Sequence, residues 1–257
     1  MNKELHEKFV SLWDRYFHGA ELPIAFFYTD NPKKGELARS AKGHRCMIGD
    51  LALVRKGKSL LFNADNLTCP GGKRYLGYSQ VLAPKFEYFL SCGIPGELEG
   101  ERYKKSPEIV KEFIKHVPTF EAPGKYIAFV RWDHLADEDE PEAVIFFAGP
   151  DVLSGLFTLA NFDAASLEGH VGTPFGSGCM SIVHYPLLEK KKDEPRAILG
   201  MFDPSARPSV PDWSITFTVP PKRFRTMVLN MEESFLTTPS WNLVSRRIEK
   251  RSEGGSL

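Results

Sequence analysis

The sequence carries no net charge, with 33 Lys and Arg balanced by 33 Asp and Glu. That excludes a global electrostatic pull towards nucleic acid or an anionic membrane. No apolar run is long enough to span a bilayer. The opening Met1-Asn2-Lys3-Glu4-Leu5-His6-Glu7 lacks the apolar core of a signal peptide. Cysteine is sparse, at Cys46, Cys69, Cys92 and Cys179, and no two have the C-x-x-C spacing of a zinc or ferredoxin site. There is no P-loop and no G-x-G-x-x-G fingerprint. Phe175-Gly176-Ser177-Gly178 approaches a nucleophile turn but lacks the full G-x-S-x-G, which argues against a hydrolase. These absences leave a cytoplasmic protein whose partner is a small molecule or a metal, not nucleic acid or a membrane, with a homo-oligomer left open. In a reducing compartment its thiols are fillers, ligands or nucleophiles rather than disulfides.

What is present is an ordinary globular composition, 42% hydrophobic and 26% charged over 257 residues. Leu5, Phe9, Leu12, Trp13, Tyr16 and Phe17 fall on one helical face. Pro23 to Tyr28 is continuously apolar, as in a strand buried on both faces. Residues 30–43 read as a polar loop, Arg45 to Lys56 as a helix ended by Gly57, and Ser59 to Phe62 as a short strand. Asn63 to Gly72 reads as a long turn, followed by two helical pieces between Arg74 and Ser91 and a loop from Gly93 to Lys105. Ser106-Pro107-Glu108 is a strong helix start. Strands are expected over Tyr126–Trp132, Ala143–Ala148 and Ala197–Met201. The acidic run at 137–140 reads as a loop tip between the first two of these. Helices are expected from Pro150, from Cys179 to Lys190 with a kink at Pro186, from Pro221 and from Ser240. Phe162 to Gly178 reads as irregular. Trp213 to Val219 alternates, which predicts a strand with Ser214, Thr216 and Thr218 on an exposed face.

Short matches recur in order along the chain. Ile24-Ala25-Phe26 parallels Ile127-Ala128-Phe129. Gly43-His44-Arg45-Cys46-Met47 parallels Gly176-Ser177-Gly178-Cys179-Met180. Ser59 to Phe62 parallels Ala197 to Gly200, and Cys69-Pro70-Gly71-Gly72 with Arg74 parallels Asp203-Pro204-Ser205-Ala206 with Arg207. The set suggests an internally duplicated α/β fold, with a mixed α+β arrangement as the alternative. It would be a single domain over residues 1–251, with halves of about 1–105 and 106–251 related by a pseudo-twofold and a frayed tail at 252–257.

The densest cluster of unusual choices is Thr68-Cys69-Pro70-Gly71-Gly72-Lys73-Arg74. Gly71 and Gly72 predict a tight turn with φ > 0, whose N–H groups could hold an anion or a cluster sulfur. Cys46 and Cys179 fall at expected helix starts, where the dipole favours a thiolate of lowered pKa. Arg45 and His44 would lower Cys46 further. Both cysteines fit equally well as buried packing residues. Soft thiolates at Cys46, Cys69 and Cys179 would select an iron–sulfur cluster, zinc or copper(I). Gly71, Gly72, Arg74, Ser177, Asp203 and Arg207 are the accompanying binding candidates. Asp203 and Arg207 read either as an ion pair or as holders of a polar ligand. His134, His170 and His184 read as surface or packing residues.

The same residues carry a resemblance. Pro23-Ile24-Ala25, Cys46, Cys69-Pro70-Gly71-Gly72 with Leu76-Gly77, Pro150-Asp151 with Leu153-Ser154, Gly178-Cys179, and Asp203-Pro204 with Ala206-Arg207 resemble, in this order, the prokaryotic family known as domain of unknown function 169. The resemblance implies one family-sized domain in the cytoplasm and carries no activity or cofactor. Three chemistries remain open: a thiolate-held metal or iron–sulfur centre, a metal-free anion site at the glycine turns, and a thiol enzyme using Cys46 or Cys179.

Overall fold

The computed structural model describes residues 3–40 and 43–253. The expected tail at 252–257 is helical at 252 and 253, and the remainder of it lies outside the described residues, as do Met1, Asn2, Ala41 and Lys42. Helix α1 (Lys3–Tyr16) leads into β1 (Ile24–Thr29). The segment at 30–43, expected to be a loop, contains a 3-10 turn and the two-residue β2 (Glu36–Leu37). Then come α2 (Met47–Arg55), β3 (Leu60–Phe62), α3 (Pro70–Tyr75), α4 (Phe86–Phe89), α5 (Pro107–Lys115) and β4 (Tyr126–Arg131). Helix α5 starts as its sequence requires: Ser106 Oγ accepts from Ile109 N at 3.5 Å, with Pro107 at the first helical position.

The second part of the chain runs β5 (Ala143–Ala148), α6 (Pro150–Ala160), β6 (Val171–Gly172), a π-helical turn (Met180–His184), α7 (Tyr185–Lys190), β7 (Ala197–Gly200), β8 (Ile215–Val219), α8 (Pro221–Asn230) and α9 (Pro239–Glu253). The kink expected from Pro186 is realised as the π-helical turn before it. Proline has no N–H to give the helix and its ring clashes with the carbonyl four residues back, so the preceding turn widens to i→i+5 bonding. Tyr185 N accordingly donates to Met180 O.

All strands join one mixed sheet in the order β2-β3-β4-β1-β5-β8-β7-β6. The two outermost pairs, β2·β3 and β6·β7, are parallel and the inner pairs antiparallel. The mixed α/β class is the one expected. Two equivalences drawn from the short matches fare differently. β3 and β7 hold corresponding places in the order, but Ile24–Phe26 and Ile127–Phe129 do not. β1 and β4 are hydrogen-bonded neighbours, with Phe26 opposite Phe129. β4 also lies beyond residue 105 yet pairs with β1 and β3, so the first four strands span residues 24–131.

Helices cover both faces. On one, α1, α6, α8 and α9 bury Phe9, Trp13, Phe17, Leu156, Phe224 and Trp241 against Ala25, Phe27, Val144 and Phe146. On the other, α2, α3 and the π-helical turn bury Ile48, Leu51, Tyr75, Met180 and Ile182 against Ile24, Phe26, Phe129 and Ile145. The alternation of β1 between the two cores is the pleat at work. β8 departs from its expected exposure. Thr216 and Thr218 are fully buried because the π-helical turn packs against the strand, and neither hydroxyl has a hydrogen-bond partner.

Candidate functional site

The three inner cysteines come from three different helix starts on the second face. Cys46 precedes α2 and Cys69 precedes α3, each in extended backbone near φ −78° and ψ 121°. Cys179 is the residue before the π-helical turn. Two hydrogen bonds tie the loops in pairs. Arg45 N donates to Thr68 Oγ1 at 3.0 Å, joining the loops of Cys46 and Cys69. Gly178 N donates to Asp203 Oδ2 at 3.3 Å, joining those of Cys179 and Asp203. The pairs then meet: a Cβ on Gly178 would lie 2.8 Å from Met201 Sδ, 3.2 Å from Ala206 Cβ and 3.4 Å from Ile48 Cγ1. A side chain at this position would press on Met201, while its distance to Ile48 of α2 would be ordinary van der Waals contact.

Cys46, Cys69, Cys179 and Asp203 thus lie within electrostatic reach of one another. Cys179 is buried, and burial first, then negative charge on Cys46, Cys69 and Asp203, pushes its thiol well above the ordinary range. Burial also raises Cys46, and charge on Cys69 and Asp203 adds to this, while the amides of Ile48 and Gly49 pull the other way. The expected lowering of these thiols by helix starts is therefore overturned by desolvation. Arg45 does not rescue it, because its guanidinium is paired with Asp50. Cys92 lies apart, exposed, with its Sγ against Gly93 O. Among the described residues no three His, Cys, Asp or Glu side chains are grouped closely enough to hold a metal ion.

The other candidates are distributed as follows. Gly71 and Gly72 do not form a left-handed turn. They are the second and third residues of α3, and Cys69 Sγ caps that helix by accepting from Gly72 N at 3.4 Å. A Cβ on Gly71 would lie 3.8 Å from Cys69 Sγ, so the glycine leaves the thiol's surroundings clear. Ser177 Oγ accepts from Met180 N at 3.4 Å, a capping role for the π-helical turn. Asp203 and Arg207 form no ion pair. Asp203 Oδ1 accepts from Ser205 N and Ser205 Oγ, and Arg207 donates to the carbonyls of Pro211, Asp212 and Ser214. Arg74 acts similarly on Gln80 O, but it is buried and has no carboxylate paired with it among the described residues.

Two further residues stand out: Met201, which the sequence did not single out, and His184, which it read as a surface or packing residue. Met201 has φ +68° while buried at 1% exposure, a costly backbone for a side chain of its length. Its amide is held by Ser181 Oγ and its sulfur faces Gly178, next to Cys179. His184 closes the π-helical turn at 2% exposure with neither ring nitrogen hydrogen-bonded. Burial, then the charges of Arg74 and Lys191, pull its pKa down to about 4. Rings of Tyr75, Phe120 and Tyr185 surround it at centroid distances of 5.7–5.8 Å. Nothing in the sequence marks a left-handed methionine. For His184 the one available signal was Pro186, two residues on.

No helix among the described residues is long and apolar enough to cross a membrane. No curated protein and no solved structure matches the chain. A family model does, over residues 16–230, which takes in every strand and all three inner cysteines. The chain belongs to the DUF169 family, described as Uncharacterised ArCR.

Proposed function

We propose that this is a cytoplasmic cofactor-binding protein. Its centre is a thiolate-held metal group, an iron–sulfur cluster before a single ion, taken by Cys46, Cys69 and Cys179 with Asp203 at the margin. One observation carries the reading: three thiols from positions 46, 69 and 179 converge with a carboxylate in an apolar shell of Ile48, Met180 and Met201. The field they share is negative and the donors are soft, which suits a soft cation. Such a cation displaces the thiol protons as it binds, so raised thiol pKa values are compatible with it. The thiols are spread more widely than one ion's ligand sphere, which needs about 2.3 Å to each sulfur. Asp203, with its oxygens committed to Ser205 and Gly178, orients the loop. The four cysteines are free of disulfides, in keeping with a reducing compartment.

The alternatives lose ground on the same geometry. A thiol nucleophile needs a lowered pKa, and Cys46 and Cys179 are raised. An anion at the thiols would meet Asp203, with Arg45 paired to Asp50 and Arg207 spent on carbonyls.

Purification without oxygen, followed by assay of iron, zinc and acid-labile sulfide, tests the proposal. Stoichiometric metal that disappears in Cys69→Ser is the expected result. A metal-free wild type, or metal unchanged in that variant, refutes it.

A further inference from the structure

A second site is built beside the thiols and does not depend on their being loaded. Its core is His184. A neutral imidazole carries one donor and one acceptor nitrogen, and here both are buried without a partner. Leaving a buried polar group unmade is costly, so such a side chain points to an occupant that would complete it. Arg74 stands beside it, buried and without a carboxylate partner among the described residues. Its charge reaches the imidazole. Tyr75 and Tyr185 meet the imidazole edge to face, at interplanar angles of 69° and 71°.

The remaining wall is Phe120, the half-buried ring of a loop residue. It lies in a segment without regular secondary structure. That segment is held to the loop after α3 by Gln80 Nε2 donating to Phe120 O at 2.6 Å and Ala122 N donating to Gly77 O at 2.9 Å. A Cβ on Gly77 would lie 2.7 Å from Phe120 Cε2, so the phenyl ring is seated directly on that glycine. Residues 77–80 and 121–125 also wall an open cleft of about 620 Å³. Phe120 therefore touches Gly77, a residue of the cleft wall, and His184.

We propose that Phe120 is a displaceable plug and that the space it fills is a binding site for a planar heteroaromatic anion. The ligand enters from the cleft, takes the place of the phenyl ring beside His184, hydrogen-bonds one of its two open ring nitrogens, and sets its charge towards Arg74. The shape follows from the flat ring it replaces, the polar edge from an open imidazole nitrogen, and the charge from the guanidinium that has no carboxylate partner among the described residues.

Orotate has all three features and is the probe. Uracil lacks the charge and benzoate lacks the donor and acceptor edge. Binding is read by calorimetry and by the imidazole signals of His184 in NMR spectra, at ligand concentrations up to about 1 mM. Orotate is expected to shift the His184 signals and to bind at least about tenfold more tightly than either comparator. Phe120→Ala, which removes the plug, tightens orotate binding. His184→Leu weakens it about tenfold or more without loss of fold. Equal binding in His184→Leu overturns the proposal, as does the absence of any response to orotate in both the wild type and Phe120→Ala.

Discussion

Replacing His184 with leucine should make the protein more stable, and more so as the pH falls. Leucine has nearly the same volume, so the packing cost is small. The substitution removes two unpartnered nitrogens from the interior, and a buried unmade group costs about 1–3 kcal/mol. The pH dependence is the sharper test because packing does not enter it. In the folded protein His184 takes up a proton only near pH 4, whereas the unfolded chain does so at the ordinary value of about 6.5. Between those values the unfolded state holds a proton that the folded state refuses. Stability is therefore lost as the pH falls from 6.5 towards 4, at up to about 1.4 kcal/mol per pH unit. From pH 7.5 to pH 5 the loss is about 2 kcal/mol, and the full effect below pH 4 is about 3 kcal/mol. Urea unfolding of both proteins across this range isolates the contribution, since every other titrating group is common to the two. The stability difference should widen steadily below pH 6.5 in favour of His184→Leu. Parallel curves would show that the imidazole is solvated or partnered in solution and would refute the reasoning.

Further outcomes follow from the same geometry. Under limiting iodoacetamide near neutral pH, exposed Cys92 should be labelled first and buried Cys179 last, as peptide mapping would show. Early labelling of Cys179 would contradict its burial. Gly200→Ala should destabilise by about 1–3 kcal/mol or more, because the new Cβ would fall 2.2 Å from Ser181 Cβ on the π-helical turn. A melting temperature within error of the wild type would mean that β7 and that turn are not in contact.

Much of the architecture could be read from residue patterns because those patterns report local physics. The apolar face of α1, the Ser106-Pro107 start of α5 and the unbroken apolar run of β1 each follow from side-chain periodicity or capping, and each is where it was expected. The errors arise where a distant element decides the outcome. Thr216 and Thr218 alternate like an exposed face, yet the π-helical turn covers them. Gly71-Gly72 has the composition of a turn, but Pro70 in front of it is equally the first residue of a helix, and the cap from Cys69 settles the choice. The pairing of β1 with β4 depends on contacts across about a hundred residues, which no local match encodes. In the candidate site, the glycine-flanked settings of Cys46, Cys69 and Cys179 singled these thiols out, and they lie within electrostatic reach of one another. The raised pKa values of Cys46 and Cys179 were not legible, because desolvation depends on what packs over them.

The place of β1 at the centre of the sheet also bears on how the molecule comes into being. Its neighbours, β4 and β5, begin at residues 126 and 143, whereas β1 begins at residue 24. A ribosome adding about 5–20 residues per second leaves this strand without either partner for roughly 5–20 s. During that interval Ile24-Ala25-Phe26-Phe27, apolar on both sides, has the helices α1, α2 and α3 to pack against but neither strand that will hydrogen-bond it. The later strands β5, β7 and β8 pair over shorter separations and can assemble as soon as they emerge. The nascent chain is thus most prone to aggregate during the first half of its synthesis, and a holding chaperone would act on that stretch.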